Sequence, residues 1–178
     1  MKRTLLISTL LGAIIGVGIC VRLQSLHVTP QVQAASTYKS PLTSGCNDQT
    51  KSADIITLTN TERVKAGLPP LTENRLLNQA AQVKAQDMVT VHYWSHDSPT
   101  GVEPWAWFRQ VGYSYVYAGE NLAKDYLDSN SVVRGWMNSP GHRANILKTQ
   151  YTEIGTAVVC GVTTGPESTL VVSEYGSR

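Results

Sequence analysis

The 178-residue chain is poor in charged residues, in cysteine and in phenylalanine. Charged side chains make up 16% of the residues, against the ~25% usual for soluble domains, which excludes a long acidic or basic disordered tail. Lysine and arginine form no run longer than two, and residues 35–178 carry twelve basic and thirteen acidic side chains, a net charge of −1. Because affinity for nucleic acids comes mainly from neutralising phosphates, this balance argues against a nucleic-acid partner.

Several motifs of common enzyme classes are also missing from the sequence. It contains no Gly-x-Ser-x-Gly turn for a serine nucleophile, no glycine-rich phosphate loop and no dinucleotide-binding fingerprint. These absences exclude hydrolases of the Gly-x-Ser-x-Gly kind, nucleotide-dependent enzymes and nicotinamide-dependent dehydrogenases.

The N-terminus predicts export from the cell. Lys2 and Arg3 precede an uncharged, mainly apolar run over residues 4–21, the pattern of a secretory signal. Small side chains before Ala35 favour cleavage after residue 34, so residues 1–34 are predicted to be a signal peptide. The run also reaches the ~18 residues of a spanning helix, which leaves membrane anchoring through residues 4–21 open. The predicted location is secreted or extracellular, either free or anchored.

The remaining chain divides by composition into a linker over residues 35–52 and one domain over residues 53–178. Cys46 and Cys160 are the two cysteines outside the predicted signal. Two thiols in an exported protein favour a disulfide between them, with two unpaired small residues as the alternative.

Hydrophobic periodicity predicts helices first and strands mainly later. The predicted elements are a helix over 53–66, a helix over 73–92 capped by Thr72, a short helix opened by Pro104, a strand over 113–123, a helix capped by Ser129 or Asn130 and ended by Pro140, and a hairpin of strands 154–160 and 168–175. This order favours an α+β fold in which helices pack on an antiparallel sheet.

Four residues stand out as candidates for chemistry: His96, Glu120, His142 and Glu153. Each lies at the boundary of a predicted element rather than within an apolar stripe. Two imidazoles and two carboxylates in one cleft are able to bind a divalent metal, to exchange protons with a substrate, or to satisfy one another as a hydrogen-bonded network. The residues by themselves leave these three interpretations open.

The sequence resembles the CAP superfamily of cysteine-rich secretory, antigen 5 and pathogenesis-related proteins, in its bacterial SCP-like branch. The resemblance covers roughly residues 54–176 and consists of these pieces in order: Asn60-Thr61-Glu62-Arg63, Gly67-Leu68-Pro69-Pro70-Leu71, Trp94-Ser95-His96, Gly119-Glu120-Asn121-Leu122-Ala123, Trp136-Met137-Asn138-Ser139-Pro140-Gly141-His142-Arg143-Ala144-Asn145-Ile146-Leu147 and Tyr151-Thr152-Glu153-Ile154-Gly155. It implies an α-β-α sandwich with a small antiparallel sheet between helical layers.

The same resemblance implies a cleft lined by two histidines and two acidic residues. His96, Glu120 and His142 match three of these positions, whereas the family's second acid falls where this chain has Ser139, and Glu153 is the candidate to replace it. Three further residues are candidates for ligand binding, because they belong to the same motifs: Asn121, Ser139 and Arg143.

The sequence favours a binding function, at or outside the cell surface, through the polar cleft. The predicted partner is an unknown small molecule, lipid or cell-envelope component. A metal-assisted peptidase and a lipid or sterol carrier are the alternatives, so whether the protein is an enzyme stays open. No cofactor is expected to be required. His96, His142 and Glu120 are the candidate ligands of a weakly and exchangeably bound divalent metal such as zinc.

Overall fold

The computed structural model describes residue 46 and residues 48–178, and every statement below concerns that part of the chain. The predictions on residues 1–34, on the segment 4–21 and on most of the linker 35–52 lie outside it. The helices are α1 (Ser52–Lys65), α2 (Arg75–Val91), α3 (Trp105–Gln110), α4 (Ser129–Asn138) and α5 (Pro140–Ile146). The strands are β1 (Thr72–Glu73), β2 (Tyr117–Lys124), β3 (Glu153–Gly161) and β4 (Ser168–Ser177).

The four strands form one sheet in the order β1-β3-β4-β2. The predicted hairpin is present as the antiparallel pair β3–β4, and β2 pairs antiparallel with the other side of β4. The short β1 adds a two-residue parallel pair to β3, which makes the sheet mixed rather than purely antiparallel. The strand β2 therefore lies at one edge of the sheet, next to only one neighbour.

Helices cover both faces of the sheet, as the predicted α-β-α sandwich requires. Side chains of α1, α4 and α5 pack with Ile154, Val171 and Tyr175 on one face. Side chains of α2 pack with Leu122 and Val172 on the other face. Because successive side chains of a strand point to opposite faces, each strand supplies residues to both cores.

The apolar stripe of α2 is buried as its 3.6-residue period predicts, and the helix approaches the sheet closely. Leu77, Ala80 and Met88 are all fully buried. Gly155 on β3 allows this approach, since a Cβ there would lie 2.2 Å from the backbone nitrogen of Asn78. The side-chain oxygen of Asn78 also accepts a 2.8 Å hydrogen bond from the backbone of β3.

Two helix caps and one helix differ from the sequence predictions. Thr72 belongs to β1, and Asn74 caps α2 instead, because its side chain accepts from the first backbone N–H groups of the helix. Asp128 caps α4, one residue before Ser129 and two before Asn130, which were the predicted caps. Pro140 ends α4 but at once begins α5, where the missing N–H of proline at the first helical position has no cost.

Cys46 and Cys160 form the predicted disulfide, with their Cα atoms 5.7 Å apart. The bond ties the start of the described chain to β3 across 114 residues of sequence. Among the described residues, no helix combines the length and the apolar character needed to span a membrane.

Candidate functional site

The candidate site lies along the edge strand β2, which contacts residues from both helical layers. Glu120 and Asn121 are consecutive on β2, so their side chains leave the strand on opposite faces. Glu120 faces the layer of α2 and contacts His96, which follows that helix. Asn121 faces the other layer and donates to the backbone oxygen of His142 on α5.

The central contact is the hydrogen bond between Nδ1 of His96 and Oε1 of Glu120, at 2.5 Å. The Glu120 side chain is 1% exposed, whereas the His96 side chain is 54% exposed. This hydrogen bond is the main cause that raises the pKa of His96, and partial burial of the ring opposes it. His96 therefore exposes to solvent an imidazole whose pKa is raised by its hydrogen bond to a buried carboxyl group.

A buried lysine on α2 holds the loop that carries His96. Nζ of Lys84 donates to the backbone oxygens of Ser95 and His96, at 2.9 and 2.6 Å, and to the hydroxyl of Tyr93 at 3.1 Å. Burial lowers the pKa of Lys84, and the neighbouring acidic side chains, Glu120 foremost, oppose that shift. Lys84 was not predicted from the sequence, although it lies three and four residues from apolar positions of the α2 stripe, where a lysine is unexpected.

On the other side of β2, two asparagines join the strand to α5 and so position His142. Nδ2 of Asn145 donates to the backbone oxygen of Glu120 and to Oδ1 of Asn121, at 3.0 and 2.9 Å. Asn121 is fully buried and donates to the His142 backbone at 3.1 Å. Asn121, predicted as a ligand-binding residue, is therefore placed where it supports the wall without reaching solvent.

The two histidines line one cleft, and their pKa values are shifted in opposite directions. The cleft has a volume of ≈ 480 Å³, and its lining includes His96, His142, Trp94, Lys124 and Tyr126. Burial lowers the pKa of His142, and the nearby charge of His96 lowers it further. The cleft thus combines one imidazole that favours the protonated form with one that favours the neutral form.

Glu153, the predicted second acid, is bound elsewhere in the structure. Its carboxylate accepts hydrogen bonds from Asn74, Tyr113 and Arg178, at distances between 2.6 and 3.3 Å. Arg178 is the main cause that lowers the pKa of Glu153 to about 2. The carboxylate that lies against Glu120 belongs to Glu174 on β4, which was not predicted from the sequence because cross-strand neighbours depend on register.

The remaining predicted ligand-binding residues are not in the cleft lining. Ser139 precedes α5 and makes no side-chain capping hydrogen bond. Arg143 is exposed and lines a different depression of ≈ 400 Å³, together with Met137 and Leu147. The structure therefore separates Arg143 from the His96–His142 cleft.

His96, His142 and Glu120, the predicted metal ligands, do not gather their ligand atoms into one three-ligand cluster in the described part of the chain. Within the described part of the chain, one group of such side chains brings its ligand atoms within 4.8 Å of one another, and it consists of Cys46, Cys160 and Glu167. The two cysteines of that group are joined in the disulfide and offer no thiolate. Glu120 bonds to Nδ1 of His96 and so orients the ring, which leaves Nε2 of His96 and the His142 ring as the positions where weak metal binding stays a prediction.

Comparisons with known proteins agree with this fold. The model of the CAP family, the cysteine-rich secretory protein family, matches residues 56–175. The uncharacterized protein YkwD of Bacillus subtilis (strain 168) is 41% identical over 130 residues, which cover 68% of this chain and 51% of that protein. The uncharacterized membrane protein YlbC of the same strain is 35% identical over 109 residues, covering 61% of this chain and 32% of YlbC. The chain thus spans about half the length of YkwD and about a third of YlbC.

Among solved structures, an extracellular protein containing a SCP domain from Bacillus anthracis str. Ames superposes with a TM-score of 0.61. It is 30% identical, and the match covers 71% of this chain and 40% of that protein. An outer surface protein from Borrelia burgdorferi has the same TM-score at 23% identity, and the match covers 70% of this chain and 90% of that protein. At 23% identity, the similarity to the Borrelia burgdorferi protein concerns the fold alone.

Proposed function

We propose that this chain, which belongs to the CAP family of cysteine-rich secretory proteins, is an exported binding domain whose ligand occupies the cleft between His96 and His142. The observation that carries the proposal is the 1% exposure of the Glu120 side chain beside a His96 that is 54% exposed. Glu120 is too deeply buried to contact a ligand, and its accessible partner is an imidazole. The cleft therefore offers hydrogen-bond donors and acceptors without an accessible carboxylate base from this pair.

The other walls suit a ligand with both polar groups and flat apolar surface. Nζ of Lys124 lies 5.3 Å from the ring centroid of Trp94, and both residues line the cleft. His96 supplies a donor, and His142, with its lowered pKa, supplies an acceptor. A volume of ≈ 480 Å³ falls in the ~300–1,000 Å³ range of small-molecule sites. A small molecule or an exposed portion of a cell-envelope component fits these properties.

The experiment compares the wild type with His96→Asn and His142→Asn, using His92→Asn as the matched control. His92 is an exposed residue at the C-cap of α2 with φ of 59°, a backbone conformation that asparagine tolerates. Each protein is incubated with purified cell-wall sacculi and with a soluble envelope extract, washed, and its bound molecules are identified by mass spectrometry. We expect a molecule that the wild type and the control retain and that both cleft variants lose. Equal retention by all four proteins, or none by the wild type, would contradict the proposal.

A metal-assisted peptidase remains the alternative from a different class. In such an enzyme the base must reach a water or substrate atom, and the burial of Glu120 weighs against that role. Cleavage of fluorescent casein that a chelator abolishes and that Glu120→Gln removes would favour the peptidase.

Lipid binding is the other alternative. Retention of phosphatidylglycerol vesicles by the wild type, rather than of sacculi or soluble molecules, would favour it.

Export remains part of the proposal and depends on residues outside the described ones. The uncharged run over residues 4–21 and the small side chains before Ala35 support it. N-terminal sequencing of protein from the culture medium is expected to begin at Ala35. A full-length chain recovered from membranes alone would indicate anchoring without cleavage.

A further inference from the structure

Two glutamates stand directly opposite each other beneath the His96 side chain. Glu120 on β2 pairs with Glu174 on β4 in the antiparallel register, so both side chains point to the face covered by α2. Glu120 is 4% exposed and Glu174 is fully buried. The two carboxyl groups lie against each other. Two ionised carboxylates in such a place would repel each other in a poorly solvated environment.

Three oxygens of this pair lack a hydrogen-bond donor from any other described residue. They are Oε2 of Glu120 and both side-chain oxygens of Glu174. The nearest buried cation does not serve them, because the three N–H groups of Lys84 go to Tyr93, Ser95 and His96. Buried polar atoms without partners are rare in folded proteins, so the pair needs a donor of its own.

We propose that Glu174 is a positioning residue of the cleft, which carries a proton and donates it in a hydrogen bond to Oε2 of Glu120. One oxygen of Glu120 then accepts from Glu174 and the other from Nδ1 of His96. The pair holds a single negative charge, and that charge fixes the orientation and the tautomer of the imidazole that faces the ligand. The inference deepens the proposed binding function and rests on it, because it explains how His96 is held for its ligand.

The charges around Glu174 agree with this assignment. Burial is the main cause that raises the pKa of Glu174 well above its ordinary value, and the neighbouring Glu120 raises it further. Lys84 is the opposing cation, and its own pKa is lowered by burial. The titratable or charged groups near the pair are Lys84 and Asp87 on α2, Tyr93, His96 and Asp97 on the following loop, Tyr151 before β3, and Tyr175 on β4.

The experiment measures the pKa of His96 by proton NMR in the ligand-free protein, with its resonance assigned by loss in His96→Asn. Glu174→Gln removes the acid but keeps a neutral donor, so we expect the pKa of His96 to stay as in the wild type. Glu120→Gln removes the charge that contacts the ring, and we expect the pKa of His96 to fall. A fall in Glu174→Gln equal to that in Glu120→Gln would overturn the proposal, because it would mean that Glu174 is ionised.

A second measurement uses the wild type and does not depend on whether a variant folds. Infrared spectra at neutral pH are expected to contain the carbonyl stretch of a protonated carboxylic acid, shifted when glutamate is labelled with carbon-13 in its carboxyl group. Absence of a label-sensitive band would overturn the proposal. Both measurements are made without ligand, so failure to find a ligand for the cleft would leave their outcome unaffected.

Discussion

Arg63 on α1 is fully buried, and its guanidinium donates to backbone oxygens of three separate segments. The acceptors are Pro69 after α1 at 2.9 Å, Ile146 and Lys148 around the end of α5 at 2.8 and 2.9 Å, and Tyr151 before β3 at 3.3 Å. Burial lowers the pKa of Arg63, but a guanidinium stays protonated in proteins. Replacing Arg63 with methionine removes all these donors and keeps an apolar side chain of similar length.

The expected loss follows from the three hydrogen bonds of 2.9 Å or less. A buried carbonyl left without its partner costs about 1–3 kcal/mol, which gives about 3–9 kcal/mol for three of them. Removing a buried cation returns part of that amount, because the desolvation penalty of one ion is itself several kcal/mol. We therefore expect Arg63→Met to lower the free energy of unfolding by about 3–5 kcal/mol.

The assay is urea unfolding followed by tryptophan fluorescence, with Lys65→Met as the matched control. The Lys65 side chain is 65% exposed and pairs with Glu62 on the same helix, so its replacement should change stability by less than about 0.5 kcal/mol. With a slope of about 1–3 kcal/mol per molar urea, the midpoint of Arg63→Met should fall by about 2 M. If Arg63→Met is unfolded from the start, Arg63→Lys should fold with an intermediate midpoint. Midpoints equal to that of the control in both Arg63 variants would refute the reasoning.

Three further perturbations follow from the structure. Gly155→Ala should abolish or severely weaken folding, because its Cβ would lie 2.2 Å from the backbone of α2. Gly141→Ala is the control: its Cβ would have no neighbouring atom within 4 Å, so this variant should melt like the wild type in calorimetry. Replacing Cys46 and Cys160 together by serine should cost up to about 5 kcal/mol in urea unfolding, since the bond closes a long loop; an unchanged midpoint would contradict this. The pKa of Glu174 is raised in the folded protein, so as pH rises past about 4.3 the unfolded chain loses this proton before the folded one does. The free energy of unfolding of the wild type should therefore fall relative to that of Glu174→Gln above that pH. A stability difference between these two proteins that is constant with pH would contradict the shift.

Local patterns in the sequence predicted much of the fold. The 3.6-residue period of α2 predicted its buried face, and two β-branched runs joined by a Gly/Thr/Pro turn predicted the pair β3–β4. His96 and Glu120 were identified by their side chains at element boundaries, and the structure brings them into contact. These features depend on neighbours close in the chain or on side-chain chemistry, which a single sequence displays directly.

Features that depend on distant neighbours were not readable from the sequence. Thr72 was predicted as a helix cap. In the structure it belongs to β1 and pairs with Glu153 of β3, a contact across 81 positions that only the folded chain creates. Glu153 was predicted in the cleft, but the register of β2 with β4 places Glu174 opposite Glu120, and the register of β3 with β4 places Glu153 opposite Gly176.

The sequence by itself determined the α+β class, the order of the elements and the disulfide partners, and it supplied two histidines and one glutamate as candidates for the site. The tertiary structure decided which acid joins them, because a one-step change in strand register exchanges the faces of every side chain. It also decided how far these side chains are removed from water, since the burial of Glu120, Glu174 and Lys84 is a property of packed layers and not of any single segment. Desolvation and a cross-strand neighbour thus set the chemistry of a cleft whose residue types were already visible in the chain.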